Sequence, residues 1–127
     1  MTDPKKNLSG KVILIVEDDP ISSEFLNEVL SGVGIRMIFT RTGEDALRIC
    51  RENREIDLVL MDIRLPGKNG YITTGELKSI LPDLPVIAQT AYALEGDRDK
   101  AMEAGCDGYI SKPIKAAELI NLISSFL

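Results

Sequence analysis

Lys-Val-Ile-Leu-Ile-Val-Glu-Asp-Asp-Pro, residues 11–20, decides the fold. Five apolar residues, Val12 to Val16, run unbroken into three carboxylates, Glu17, Asp18 and Asp19. A short Val/Ile-rich run without polar alternation is expected of a strand covered on both faces. An acidic patch that repels itself at the end of such a strand is either an ordinary solvated turn or the setting for something positive.

Working outward, strand and helix patterns alternate. Pro20 suits a first helical position behind Asp19 as cap, and Ile21, Phe25, Leu26, Val29 and Leu30 follow helical spacing. Gly-Val-Gly (32–34) breaks that helix, and residues 35–40, IRMIFT, alternate as a half-buried second strand. Thr42 is placed to cap a short helix carrying Ala46, Leu47 and Cys50. Residues 56–62, IDLVLMD, form a third buried strand. Asn69 and Gly70 open a third helix with Ile72, Leu77, Ile80 and Leu81 as apolar positions, although Thr73-Thr74-Gly75 is poor helix material. Residues 84–90, LPVIAQT, read as strand four, begun by Pro85, and residues 94–104 as helix four, stopped by Gly105. Residues 108–111, GYIS, are strand five, and residues 116–126 helix five. Five β units alternating with five α units imply an α/β fold, a parallel sheet with helices on both faces and right-handed crossovers.

The composition agrees with one domain. The chain has 127 residues, is 44% apolar and carries a net charge of −5, which disfavours nucleic-acid binding through a basic face. Residues 1–10 are expected to be a flexible lead-in and residues 11–127 the folded domain. No run reaches the length of a membrane-spanning helix. Cys50 and Cys106 stand in no metal-binding spacing and are expected to be reduced, partly buried thiols of a cytoplasmic protein. Histidine is absent, which excludes Ser-His-Asp and Cys-His catalysis. Any phosphohistidine chemistry must come from another molecule.

Sheets of this kind bind ligands at the carboxyl ends of their strands. There stand Glu17, Asp18 and Asp19 after strand one, Asp62 ending strand three, Thr90 ending strand four and Lys112 after strand five. Each alone reads as a turn former, a cap or a solvated charge. Together they place four carboxylates, a hydroxyl and an ammonium on one sheet edge. Clustered carboxylates raise one another's pKa unless a cation neutralises them, and a sparse all-oxygen set with room for water suits Mg2+ better than zinc or copper. A Mg2+ with open positions calls for phosphate oxygens, which Thr90 and Lys112 can also bind. Asp62, at the centre, is the candidate nucleophile, forming an aspartyl phosphate.

With these residues in view, the chain resembles the receiver domain of two-component response regulators from Lys11 to Leu127. The motifs are ILIVEDDP (13–20), LVLMDIRLPGKNG (58–70), PVIAQTAYA (85–93) and AGCDGYISKPI (104–114). The resemblance implies a flavodoxin-like (βα)5 fold with strand order 2-1-3-4-5. It also implies a phosphoryl group taken from a histidine kinase or histidine phosphotransfer domain. By the same resemblance Glu17 and Asp18 match the metal-site acids, Asp62 the phosphoacceptor, and Arg64 the position whose main-chain carbonyl completes the Mg2+ shell. Thr90 and Lys112 match the phosphate-binding pair, Lys112–Pro113 a peptide often cis, and Tyr109 the aromatic that turns when the threonine moves. Helix four, strand five and helix five would form the output surface, toward an effector domain or partner.

Three features depart from the family pattern. Asp19 is an extra acid that reads as a helix cap, Leu65 and Lys68 replace common methionines, and Arg64 puts a long cation two residues past the nucleophile. A flavodoxin-type protein would need a phosphate loop rich in Ser, Thr and Gly where this chain has acid. A dehalogenase-type phosphatase would want a second Asp where Arg64 stands. The remaining alternative is a pseudo-receiver, folded but unphosphorylated and acting only through protein contacts. The resemblance leaves open a stand-alone regulator or the receiver of a hybrid histidine kinase, itself membrane-bound or not.

Overall fold

The computed structural model describes residues 8–65, 69–90 and 96–127. Five strands, β1 (Val12–Val16), β2 (Arg36–Thr40), β3 (Leu58–Asp62), β4 (Val86–Thr90) and β5 (Gly108–Ser111), alternate with five helices. The helices are α1 (Pro20–Ser31), α2 (Gly43–Glu52), α3 (Gly70–Ile80), α4 (Asp97–Ala104) and α5 (Ala116–Ser124). All pairings are parallel and the order is β2-β1-β3-β4-β5. This is the flavodoxin-like arrangement that the alternating pattern and the resemblance led one to expect.

β1, β3 and β4 are buried at every position, as unbroken apolar runs require. One face of the sheet packs Leu14, Val16, Val59, Met61 and Ala88 with Ala46 and Leu77 of α2 and α3. The other packs Ile13, Ile15, Leu60, Ile87 and Ile110 with Leu26 and Leu30 of α1 and Leu119 and Ile123 of α5. Of the caps expected, Asp19 accepts from Ile21 N at 3.1 Å and Thr42 from Asp45 N at 3.2 Å, and Asn69, expected to open α3, accepts from Ile72 N at 3.0 Å. Cys50 and Cys106 are free and buried, and burial pushes the Cys50 thiol up to about 11.

Some side chains face otherwise than their spacing suggested. Ile21 is 78% exposed and Ile72 is 54% exposed, and Phe25 and Ile80 also reach solvent. On α3 the buried stripe is Thr73, Thr74 and Leu77. The threonines are tolerated because Thr73 Oγ1 donates to Asn69 O and Thr74 Oγ1 accepts from Cys106 Sγ. β2 does not alternate cleanly: as an edge strand, it turns Met37 to one core, Ile38 to the other and Phe39 to solvent. α5 ends at Ser124, two residues short of expectation, and residues 91–95, where helix four was expected to begin, lie outside the described residues.

Residues 1–7 of the expected lead-in also lie outside the described residues, while Leu8 is buried and donates from its N–H to Val33 O. At the opposite end of the sheet from the acidic patch, two aspartates close the strand starts. Asp57 Oδ2 accepts from Val12 N at 2.8 Å and Asp107 Oδ2 from Val86 N at 2.9 Å. Lys78 bridges to Asp107 at 2.7 Å and donates to Leu84 O at 2.8 Å.

Candidate functional site at the carboxyl edge of the sheet

The parallel register brings the ends of β1, β3, β4 and β5 to one edge. Asp62 terminates the central strand and is buried, as is Glu17 just past β1, while Asp18 is exposed. One carboxylate oxygen from each of Glu17, Asp18 and Asp62 lies within 4.8 Å of the other two. The set is therefore one cluster, although Asp62 is 44 residues or more from the other two in the chain.

Lys112 enters from the β5 side. Its Nζ donates to Glu17 Oε1 at 2.9 Å and lies 3.7 Å from Asp62 Oδ2. Burial of Glu17, with Asp62 beside it, raises its pKa above the ordinary carboxylate value, and the bond from Lys112 only partly offsets this. Burial works against the Lys112 ammonium, but the bond to Glu17 and the charges of Asp62, Glu17 and Asp19 outweigh it and hold its pKa above normal. The pocket thus carries an excess of negative charge that one ammonium only partly neutralises.

Main-chain bonds fix the surroundings. Arg64 N donates to Asp62 Oδ1 at 2.9 Å, leaving the exposed Arg64 side chain outside. Thr90 is buried at the end of β4, and its carbonyl accepts from Lys112 N at 2.7 Å. The Lys112–Pro113 peptide is cis. Tyr109 is half-buried on β5, packed at the edge of the α2/α3 core. Asp19 sits apart from the carboxylate cluster, capping α1 and accepting from Ser22 Oγ at 3.0 Å.

Two neighbours of Asp62 were missed from the sequence. Gly70 opens α3 directly against Asp62: a Cβ there would collide with the Asp62 carbonyl oxygen and lie 2.8 Å from Ile63 Cα. Its N–H donates to Ile63 O at 3.0 Å. Gln89 is the only polar side chain in β4 before Thr90, wholly buried and in register with Asp62. A polar residue interrupting an apolar strand was the available clue.

A family model for the response regulator receiver domain matches residues 13–124. The chain belongs to that family. This receiver domain is 41% identical over 119 residues to the polar-differentiation response regulator DivK of Brucella anthropi, covering 92% of this chain and 96% of that one. It is similar to the receiver domain of the sensor histidine kinase PA1611 from Pseudomonas aeruginosa PAO1, whose structure has a magnesium ion coordinated in the active-site cleft. Identity there is 37%, the TM-score is 0.85, and 93% of this chain and 98% of that chain are covered. A further likeness is to the co-crystal of the Saccharomyces cerevisiae histidine phosphotransfer protein Ypd1 with the receiver domain of Ssk1. That match has 25% identity and a TM-score of 0.85, covering 93% of this chain and 89% of that one. Among the described residues of this receiver domain, no helix is long and apolar enough to cross a membrane.

Proposed function

We propose that this receiver domain accepts a phosphoryl group on Asp62 and changes its α4-β5-α5 surface in response. The observation that carries the reading is the joint placement of a buried carboxylate at the end of the central strand, an ammonium 3.7 Å from it and two further carboxylates beside it. Such a site neutralises and orients a phosphoryl group, which is most of what phosphoryl transfer demands.

The donor set fits Mg2+, being all oxygen, acidic and partly open to water through exposed Asp18. Glu17, Asp18, Asp62 and the Arg64 carbonyl would hold the ion, with Asp18 as the direct ligand of the acidic pair. When bound, Mg2+ would supply charge neutralisation to the phosphoryl oxygens. Asp62 Oδ attacks phosphorus, the P–N bond to the donor histidine breaks, and the electron pair leaves with the imidazole. Lys112 and the Thr90 hydroxyl donate to the transferred oxygens. Thr90, drawn inward, then vacates space that Tyr109 takes up, shifting the population of two packed states.

The donor is read as a histidine kinase or a histidine phosphotransfer domain, supported by the likeness to the Ssk1 receiver domain co-crystallised with Ypd1. The output is read as a partner or effector domain meeting α4, β5 and α5. The functional unit is taken as residues 11–127, working in the cytoplasm. The protein is regulatory, its only catalysis being its own phosphorylation and dephosphorylation. Incubation with Mg2+ and acetyl phosphate tests the reading: intact mass should rise by one phosphoryl group, with the modification on Asp62. Labelling of Asp62→Asn at the wild-type rate would overturn it.

A further inference from the structure

On the α1/α5 side of the sheet a cavity of about 340 Å3 opens beside the acidic pocket. Its walls include Ile21, Phe25 and Leu26 of α1 with Pro113, and Gln89 and Lys112 also line it. Side chains two apart on a strand share a face. Leu60 and Ile87 lie in the α1/α5 core, so Asp62 and Gln89 project to that same side as register partners on adjacent strands.

Gln89 is fully buried, and neither its Oε1 nor its Nε2 has a hydrogen-bond partner among the described residues. A buried amide with both ends unmatched is costly, and an aliphatic side chain would serve the core better. In the same cavity stands an ammonium with three donors. Among the described residues only one of them makes a hydrogen bond, to Glu17, and the 3.7 Å approach to Asp62 is too long to be a second. An unmatched acceptor and unmatched donors of matching chemistry therefore share one cavity.

We propose that Gln89 is a positioning residue for this pocket: its carboxamide oxygen is a second acceptor for the Lys112 ammonium, receiving it when Glu17 turns to a divalent cation. The inference rests on the reading of Glu17, Asp18 and Asp62 as a metal site and Asp62 as phosphoacceptor. A neutral amide suits the task. It holds the ammonium without cancelling its charge, so Lys112 stays free to move on to a phosphoryl oxygen. A carboxylate at the same place would retain it. Ser22 Oγ, which donates to Asp19 and also lines the cavity, keeps lone pairs for the amide N–H.

The test follows the Lys112 ammonium directly. The full chain is labelled with 15N-lysine, the Lys112 Nζ resonance is assigned with Lys112→Arg, and MgCl2 is titrated in. In the wild type the resonance should shift and its protons should stay protected from water. In Gln89→Met, which keeps an unbranched side chain of similar length but has no comparable acceptor, they should exchange about tenfold faster once Mg2+ is present. Gln89→Glu should restore protection yet slow labelling of Asp62 by acetyl phosphate, lowering the maximal rate more than the donor concentration at half-rate. Gln89→Leu repeats the measurement should the methionine variant not fold. Identical Mg2+ responses of Lys112 in the wild type and either apolar variant overturn the inference. If the wild type takes no phosphoryl group on Asp62, the underlying reading has failed instead.

Discussion

Lys112 Nζ donates to Glu17 Oε1 at 2.9 Å, tying the end of β5 to the end of β1 across 95 residues of sequence. The pair is nearly enclosed, with the Glu17 side chain fully buried and that of Lys112 23% exposed. Lys112→Met should therefore lower stability in metal-free buffer by about 2 kcal/mol, between the values for exposed and enclosed pairs. The pH dependence has a defined sign. The folded-state pKa of Lys112 is raised, so its stabilisation is complete below the unfolded value of 10.5 and is lost as pH rises through the folded value. Urea melts at pH 8 and above pH 10.5 should show that loss in the wild type and a smaller one in the variant.

Asp18 and Asp19 are neighbours with different duties. Asp18 belongs to the carboxylate cluster and Asp19 caps α1. Asp18→Ala should weaken Mg2+ binding about tenfold or more. Asp19→Ala should leave Mg2+ binding nearly unchanged and cost about 1 kcal/mol of stability. Equal losses in a metal titration would mean the two acids have been assigned wrongly.

Gly70→Ala should be disproportionately harmful for a one-methyl change. The new Cβ meets main chain of Asp62 and Ile63, which cannot rotate away, so α3 or the end of β3 must shift. The expected cost is about 1–3 kcal/mol, together with slower labelling of Asp62. A variant as stable as wild type with unchanged labelling would show that the loop absorbs the methyl without moving the carboxylate.

Arg64 offers a contest between two electrostatic effects. Its exposed guanidinium lies two residues past Asp62, whose Oδ1 accepts from the Arg64 main chain. It can stabilise charge in the hydrolytic transition state or lie across the phosphoryl group and exclude water. Shielding is expected to dominate, so Arg64→Asn should shorten the aspartyl-phosphate lifetime with Mg2+ affinity unchanged. Phosphoryl decay at saturating Mg2+ decides it, and a longer lifetime in the variant favours the electrostatic alternative.

Thr90→Ala should separate modification from response. Asp62 should still be labelled, because its own surroundings persist, while the Tyr109 ring resonances should move far less than in phosphorylated wild type. Matching Tyr109 shifts in the two proteins would break the proposed link between them.

Much of this was legible in the linear chain, for physical reasons that also mark where legibility ended. Val12–Val16, Leu58–Asp62 and Val86–Thr90 declare themselves because a strand buried on both faces leaves no room for polar alternation. The capping roles of Asp19, Thr42 and Asn69 are local and so are readable from a few neighbours. Which side of a helix is buried is not local. Ile21 and Ile72 satisfy helical spacing yet face water, while Thr73 and Thr74 go inside because partners on the same helix and after α4 satisfy their hydroxyls. The Glu17–Lys112 pair and the contact of Gly70 with Asp62 depend on three-dimensional proximity that no spacing encodes.

The aspartates at the far edge of the sheet bear on how such a pocket can be tolerated. Asp57 and Asp107 bind the first N–H of β1 and β4, and Lys78 ties Asp107 to the turn before β4. Strand alignment is thereby anchored at the end opposite the carboxylate cluster. The acidic end therefore does not carry alone the duty of holding the sheet together. Its charges can gain or lose a counter-charge, and its side chains can exchange partners, while the strands beneath them keep their alignment.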